Sequence, residues 1–349
     1  MATPSPLLPS AQTRSPCPRR VLVLGATGTI GRATVRALVD RGHEVVCFVR
    51  PRAGPRAGPG GKLGADAIGQ MLPGASLRYG DVTDASSIAR DGFRGEAFDV
   101  LVSCLASRTG RARDAWKIDH QAHVDALAAA KQACVAHMVL LSAICVQKPL
   151  LAFQQAKLAF EQELIHSGLT YSIVRPTAFF KSLSGQVGRV QRGKPFLIFG
   201  DGRLTACKPI SDGDLGRYLA DCLDDEDRWN RILPIGGPGD AITPRQQGEM
   251  LFAELGREPR FRQLPLALLM GIRWVLAALG RVSPKMADKA ELAGIGLYYA
   301  SESMLVLNPK TGAYDADATP STGTETLAGH YVRLIRGETA DDRGDHAVF

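Results

Sequence analysis

The stretch that decides the fold is residues 21–31, VLVLGATGTIG. Its first four residues are a continuous apolar run, which is typical of a buried parallel strand. The glycines then follow in a GxxGxxG spacing and lead into a helical pattern. At such a turn, glycines permit a tight bend, close approach to a pyrophosphate and packing of the helix on the strand, while the helix N-terminus attracts the phosphates. The residues predicted to form this dinucleotide-binding loop are Gly25, Thr27, Gly28, Thr29, Ile30 and Gly31.

Strand and helix patterns alternate after this loop. Helical spacing covers 30–40, 114–136 and 150–167, and the apolar runs between and around these helices lie at 44–49, 76–79, 100–105, 138–142 and 171–174. This βαβ alternation predicts an α/β fold, a doubly wound parallel-sheet NAD(P)-binding Rossmann domain with helices on both faces of the sheet.

The rhythm becomes less regular after about Pro176, which predicts a smaller C-terminal portion over the open end of the sheet. The expected parts are a disordered tail at 1–18, the NADP-binding domain at 19–176, a substrate-binding portion at 177–337 with some segments returning to the sheet, and a frayed tail at 338–349. The C-terminal portion contains a strongly apolar helix at 266–279, too short for a membrane span. Because Arg273 alone does not make a basic face, we interpret this helix as core or pocket rather than membrane-surface.

Composition excludes several classes of protein. The 349 residues are 45% hydrophobic and 22% charged, values of a globular chain and not of a disordered one. The net charge of +7 suits an anionic ligand, but runs of basic residues are lacking, so no nucleic-acid partner is predicted. The seven cysteines form no CxxC pair, which favours reduced thiols. His120 and His123 lie three apart without a suitable third ligand, so no metal is predicted.

The end of the second strand favours NADPH over NADH as the cofactor. An NAD binder usually carries an acidic residue there to hold the ribose 2′-OH, whereas this chain has Arg50, which suits a 2′-phosphate. Arg52 and Arg56 in the adjoining segment are possible helpers or simply solvated. Asp81 is placed near the adenine edge, or alternatively is the N-cap of the next helix. The other residues expected to contact NADPH at predicted strand ends are Val82, Leu105, Ala106 and Pro176.

The expected reaction centre lacks one familiar group. Many short-chain dehydrogenases use a Ser at the end of the fifth strand and a Tyr-x-x-x-Lys on the next helix, where the Tyr passes a proton to a carbonyl oxygen. This chain has Ser142 and Lys157, which we predict to be catalytic, but Phe153 replaces the Tyr. Two interpretations remain open: NADPH binding without catalysis, or reduction of a group that needs no oxygen-bound proton, such as an activated carbon–carbon double bond. A solvated Lys157 and a Ser142 hydroxyl satisfied by backbone are the structural alternatives.

Longer stretches carry a family resemblance. The helix 148–161, KPLLAFQQAKLAFE, resembles the corresponding helix of the NADPH-dependent divinyl (proto)chlorophyllide a 8-vinyl reductases, atypical members of the short-chain dehydrogenase/reductase family. So do 171–182 (YSIVRPTAFFKS), 199–202 with 207–211, and 302–306 before Tyr314-Asp315. With the glycine loop, the likeness extends from about residue 19 to 335.

The resemblance implies reduction of the 8-vinyl group of a Mg-tetrapyrrole to ethyl in chlorophyll or bacteriochlorophyll synthesis, with NADPH as hydride donor. Lys157 would hold the nicotinamide ribose, and Ser142, Thr177 and Phe179 would border the nicotinamide. Water, Lys148 and Lys181 remain open as proton sources. A Tyr at position 153 is not expected to be required.

The resemblance also guides the expected partners and location. Divinyl chlorophyllide or protochlorophyllide is the expected substrate, and the short N-terminal segment favours a cytoplasmic protein of bacterial type. Peripheral contact with a photosynthetic membrane and the oligomeric state stay open. The alternatives are a non-catalytic NADPH-binding sensor or assembly subunit, and a reductase acting on another conjugated double bond.

Overall fold

The computed structural model of the protein describes residues 17–50 and 65–338. The strands within these residues are β1 Arg20–Leu24, β2 Glu44–Val49, β3 Ser76–Tyr79, β4 Val100–Ser103, β5 His137–Leu141, β6 Thr170–Pro176, β7 Phe196–Phe199, β8 Arg231–Ile235, β9 Phe261–Leu264, β10 Val306–Leu307 and β11 Tyr314–Asp315. The α-helices are α1 Thr29–Asp40, α2 Ala65–Met71, α3 Ala85–Ser87, α4 Ala112–Ala115, α5 Ala122–Gln132, α6 Ala152–Ile165, α7 Phe180–Leu183, α8 Val187–Gln191, α9 Asp212–Asp221, α10 Pro244–Glu254, α11 Leu266–Gly280, α12 Pro284–Ser301 and α13 Leu327–Ile335.

The central sheet has the strand order β3-β2-β1-β4-β5-β6-β8, and neighbouring strands pair in parallel. The order reverses between β1 and β4, so a crevice opens at the carboxyl ends of these two strands. In open α/β sheets, this is where ligands bind. The predicted fold class, a doubly wound parallel sheet, is confirmed.

Two apolar layers cover the faces of the sheet. Along β1, Val21 and Val23 point into the layer that contains α1 and α9, whereas Leu22 and Leu24 point into the layer that contains α5 and α6. This period-2 alternation, with both sides apolar, explains why the strand reads as an unbroken hydrophobic run. Each fully buried side chain of this kind contributes about 1.5–3 kcal/mol to stability.

The helix predicted over 114–136 differs most from its prediction within the Rossmann part. It is a continuous helical segment from α4 to α5 that widens into a π-helical turn over Trp116–Gln121. Single π turns are frequent at functional sites. Hydrophobic spacing does not reveal the π turn, because buried residues across it, such as Ile118, Ala122 and Ala126, keep the i, i+4 spacing of an α-helix. The strands predicted at 100–105 and 138–142 end earlier, at Ser103 and Leu141, so their last residues belong to loops at the sheet edge.

The C-terminal half contributes β8 to the central sheet and α9 to the layer on one of its faces. β7 and β9 form a separate parallel pair, and a third apolar cluster joins this pair to α8, α10 and α13. α11 and α12 form a helical hairpin, and α12 packs on the segment that links β5 to α6. Of the two interpretations of α11, core and pocket, the first is wrong, because all of its residues are described and none of its side chains is buried. The pocket interpretation stays open, since residues of α11 and α12 line a shallow cavity between the two helices.

Candidate functional site

The glycine loop lies directly against the end of β4. Gly25 has a φ of +73°, and a Cβ at this position would lie 2.5 Å from the carbonyl carbon of Cys104. A Cβ at Gly31 would lie 2.2 Å from the Gly25 carbonyl oxygen. Only glycine satisfies both contacts, because the first requires a left-handed backbone and the second leaves no space for a side chain. The loop therefore has the geometry predicted for a pyrophosphate turn at the switch point of the sheet.

The N-terminus of α1 is open to an anion. Gly28 is its N-cap and supplies no side-chain hydrogen bond, and the first turn carries no acidic residue. Lys181 Nζ donates to Thr29 Oγ1 at 2.9 Å, which brings a cation to the same helix end. Ile30, also predicted here, is buried in the core beneath the loop. Sequence reasoning considered Lys181 only as a proton source and missed its position beside the phosphate loop.

The predicted adenine end of the site lies after β3. Asp81 accepts hydrogen bonds from the backbone N–H and the hydroxyl of Thr83, both at 2.9 Å. These bonds lower the pKa of Asp81, against partial burial, and the positive charge of Arg50 adds to the lowering. The N-cap alternative for Asp81 is wrong, because Asp84 caps α3 by accepting from the N–H of Ser86. Arg52 and Arg56 lie outside the described residues.

The other predicted contacts at strand ends differ in exposure. Val82 and Leu105 are buried in the same apolar layer. Ala106 is exposed just beyond β4. Pro176 and Thr177 are buried at the end of β6, where Thr177 donates its hydroxyl to the Lys208 carbonyl.

Phe179 is partly buried and packs against the layer that contains α1. Its backbone pairs with that of Ile210. Phe179 is also the N-cap of α7, three residues past the end of β6. Phe179 and Thr177 therefore lie at the same carboxyl edge of the sheet as the loop after β5.

Lys157 is not a solvated helix lysine. Its Nζ lies 3.0 Å from Asp119 Oδ1, and the two side chains are 11% and 1% exposed. Asp119 belongs to the π-helical turn and also accepts from the N–H and the hydroxyl of Ser107. The carboxylate therefore links the loop after β4 to α6 and fixes the direction of the lysine. Asp119 is a site residue that sequence reasoning missed.

Ser142 belongs to a buried ionic network. Its hydroxyl donates to Glu161, which is fully buried on α6, and Glu161 forms an ion pair with Arg175 of β6. The backbone N–H of Ser142 donates to the Val174 carbonyl at 2.8 Å. The alternative in which the backbone alone satisfies the Ser142 hydroxyl is wrong, since its acceptor is a carboxylate. Ser142 and Lys157 border the same narrow space, and the residues that line it are Asp119, Leu140, Leu141, Ser142, Lys157 and Phe160.

His123 is a further buried side chain with two hydrogen bonds in this region. Its Nδ1 donates to the Ile118 carbonyl at 2.9 Å, and its Nε2 accepts from Ser103 Oγ at 2.8 Å, which is the pattern of a neutral ring. Burial, assisted by the charge of Lys157, lowers the pKa of His123 to about 4. Within the described ranges, no group of three or more His, Cys, Asp or Glu side chains is arranged to hold a metal ion.

A second polar cluster lies between the segment after β5 and the C-terminal part. Lys148 Nζ donates to Glu302 Oε1, and the Tyr314 hydroxyl donates to Glu302 Oε2, both at 2.7 Å. Burial and the neighbouring Glu302 raise the pKa of Tyr314. Phe153 is not part of this cluster: it packs against apolar side chains that include Tyr298 of α12. Position 153 therefore contributes packing where a typical short-chain dehydrogenase places its acid.

Comparisons with known proteins agree with this geometry. A family model described as NAD(P)H-binding matches residues 25–226. The divinyl chlorophyllide a 8-vinyl-reductase of Oryza sativa subsp. indica is 50% identical, over 99% of this chain and 87% of its own length. The chain belongs to this reductase family. The Arabidopsis thaliana reductase is 48% identical, over 94% of this chain and 79% of its own length. The predicted family and the predicted NAD(P)H-dependent oxidoreductase class are thus confirmed.

Solved structures support the fold at lower identity. An NADPH-dependent quinone oxidoreductase from Escherichia coli, crystallised with NADPH, superposes with a TM-score of 0.64 at 18% identity, covering 90% of this chain and 99% of that one. At this identity the likeness concerns the Rossmann-type fold alone.

The expected cytoplasmic, bacterial-type location is wrong, because the rice and Arabidopsis reductases are both chloroplastic proteins. That expectation rested on the N-terminal segment alone.

Proposed function

We propose that this chain uses NADPH to reduce the 8-vinyl group of a divinyl Mg-tetrapyrrole, such as divinyl chlorophyllide a, to an ethyl group. The observation that carries the proposal is the Lys157–Asp119 pair beside Ser142, at the carboxyl edge of the sheet, in a reductase that has Phe153 in place of a proton-donating tyrosine. Bound NADPH would supply a hydride to the terminal vinyl carbon, the macrocycle would accept the displaced electron pair, and a proton would add to the adjacent carbon.

The residues around the glycine loop suit NADPH. The open N-terminus of α1 and Lys181 would face the pyrophosphate, and Arg50 would face the 2′-phosphate of the adenosine ribose. Fixed by Asp119, Lys157 would donate to the hydroxyls of the nicotinamide ribose. This arrangement orients the cofactor before the reaction, and orientation is the main requirement of a transfer whose acceptor is itself the electron sink.

Lys148 is the proton source that we favour. Lys181 is held at Thr29, on the phosphate side of the loop, whereas Lys148 lies six residues after Ser142 on the segment that follows β5. Its partner Glu302 is linked to Tyr314, so the cluster could return a proton to Lys148 after each turnover.

The decisive experiment is an anaerobic incubation of the purified protein with divinyl chlorophyllide a and either NADPH or NADH, followed by chromatography of the pigments. Monovinyl product is expected with NADPH, at a kcat/KM at least about tenfold above that with NADH. The reason is that a charge-assisted contact to the 2′-phosphate should raise the affinity for NADPH more than tenfold. Equal rates with both cofactors would refute the role of Arg50. Tight NADPH retention without product would support a binding or assembly role instead.

Lys157→Met tests the proposed site directly. It should lower kcat/KM by at least about a hundredfold, since the ribose loses its anchor. Lys131→Met, at an exposed position on the neighbouring helix α5, is the matched control and should retain the wild-type rate. Wild-type kinetics for Lys157→Met would refute the assignment.

A further inference from the structure

Helix α11 is apolar on nearly all of its surface, yet the protein does not cover it. Leu268, Ile272, Val275 and Leu279 lie at positions i, i+4, i+7 and i+11, so they form one stripe along the helix, and all four are exposed. Trp274, on another side of the helix, is 75% exposed. A helix that is hydrophobic all round is normally found inside a large core or in a membrane. The contacts of α11 with α12 leave most of its apolar surface without such surroundings.

The charges around this helix have one sign. From residue 259 to residue 287 the chain carries no Asp or Glu, and its basic residues in this stretch are Arg260, Arg262, Arg273, Arg281 and Lys285. The next acids along the chain are already engaged: Asp288 forms a partly exposed ion pair with Arg111, and Glu291 accepts from the Ala152 N–H. The exposed surface of the hairpin is therefore apolar along α11, with four of the five cations outside the helix and Arg273 alone within it.

The length of α11 limits what can cover it. Among the described helices, none is long and apolar enough to cross a membrane. A 15-residue helix lying flat, with cations at both ends, instead matches the boundary between lipid headgroups and acyl chains. Apart from Arg273, the cations lie beyond the ends of α11 and not along one of its faces, so the residues of the helix alone do not show them.

We propose that the α11–α12 hairpin docks this protein onto a membrane surface that contains anionic lipids, with the stripe of Leu268, Ile272, Val275 and Leu279 buried below the headgroups. A second copy of the chain suits the surface less well, because a two-fold contact would bring two sets of cations together without intervening acids. The substrate suits it less well too, since one carboxylate does not match five cations.

The test is flotation of the full-length protein with vesicles of phosphatidylcholine alone or mixed with phosphatidylglycerol. The wild type should float with the mixed vesicles and bind them at least about tenfold more tightly than the neutral ones, because each cation near an anionic surface adds to the affinity. The Ile272→Glu/Val275→Glu double variant should bind at least about a hundredfold more weakly, because two apolar side chains that would enter the membrane become charged. Leu204→Glu, at a Leu that is 54% exposed elsewhere, is the matched control and should bind as the wild type does.

Trp274 gives a second measurement, which starts from the wild type. Brominated acyl chains in the mixed vesicles should quench the tryptophan fluorescence of the wild type, and the quenching should disappear in Trp274→Phe. Absence of flotation, full binding by the double variant, or quenching that persists in Trp274→Phe would each overturn the proposal.

Two further results would reassign the surface. If the double variant stays folded by circular dichroism but cannot reduce pigment in vesicle-free solution, the stripe belongs to the substrate site. If sedimentation shows a wild-type dimer that the double variant converts to monomer, the stripe is a contact between copies. Each of these outcomes would also overturn the membrane proposal.

Discussion

The carboxyl edge of β5 and the α11–α12 hairpin differ in which side chains they bury and which they expose. At the edge of β5, ionic side chains are buried and paired: Glu161 with Arg175, and Asp119 with Lys157. On the hairpin, large apolar side chains such as Trp274 are exposed. The first region obeys the rule that buried charges need partners, whereas the second departs from the usual location of apolar side chains. The buried charges of the candidate site are therefore stabilised by contacts within the chain. The exposed apolar side chains of the hairpin depend instead on what the protein meets in its surroundings.

The largest effect is expected where a buried charge loses its partner. Arg175→Ala leaves the carboxylate of Glu161 buried with only the Ser142 hydroxyl, and we expect a loss of about 3–5 kcal/mol in the free energy of unfolding. Urea denaturation measures this loss. Arg333→Ala, which breaks a partly exposed pair with Glu325, is the control and should cost less than about 1 kcal/mol.

A neutral substitute separates charge from packing in the same network. The Glu161→Gln/Arg175→Met double variant should recover most of the stability that Arg175→Ala loses, because no uncompensated buried charge remains. If Arg175→Ala costs no more than Arg333→Ala, the region around β5 is not a low-dielectric site and the comparison with the hairpin fails.

Acid should weaken the Rossmann part through its buried histidines. Burial lowers the pKa values of His123 and His137 to about 4, from the ordinary 6.5. Both rings are neutral in the folded protein above pH 4, but the unfolded chain takes up protons below pH 6.5, so stability is full above pH 6.5 and falls as the pH drops toward 4. Between pH 7 and pH 5, each histidine should cost about 2 kcal/mol of unfolding free energy.

Urea midpoints measured at pH 7, 6 and 5 test this prediction, and His123→Gln should reduce the slope. The hairpin contains no histidine, so vesicle binding should stay constant over the same range. A midpoint that does not move between pH 7 and pH 5 would contradict the buried neutral rings.

The sheet and the glycine turn after β1 could be predicted from the sequence because both depend on local patterns. Residues 21–31 combine an apolar strand, glycines at fixed spacing and a helical start, and each signal lies within a few residues of the next. The family-specific stretches 148–161 and 171–182 can also be identified in the sequence, but their physical relation cannot. In the structure, Glu161 of the first pairs with Arg175 of the second.

Long-range pairing explains what was missed at the site. Asp119 is 38 positions from Lys157, and a π-helical turn brings them together without a mark in the spacing of apolar residues. The exposure of α11 could not be predicted for the converse reason. Its composition indicates burial, but burial also requires a neighbouring surface, and no local pattern shows whether the chain provides one.

Asp119→Asn should reduce activity more than stability. Asparagine keeps an acceptor for the Ser107 N–H but removes the charge that holds Lys157, and we expect kcat/KM with NADPH to fall by about 10- to 100-fold. Steady-state kinetics and NADPH binding measure the effect. Asp125→Asn, on the neighbouring helix α5, is the control and should change neither value more than twofold. Wild-type kinetics for Asp119→Asn would mean that the cofactor alone fixes Lys157.

The smallest expected effect compares two glycines of the hairpin. A Cβ at Gly271 of α11 would meet nothing within 4 Å, so Gly271→Ala should raise the free energy of unfolding by about 0.5–1 kcal/mol through helix propensity alone. A Cβ at Gly294 of α12 would meet Arg273 and Leu151 at 3.2 Å, so Gly294→Ala should gain less or lose stability. Thermal unfolding of both variants measures the difference. If Gly271→Ala is destabilising instead, another surface already covers α11 in solution. The hairpin would then not be exposed, and its contrast with the candidate site would not hold.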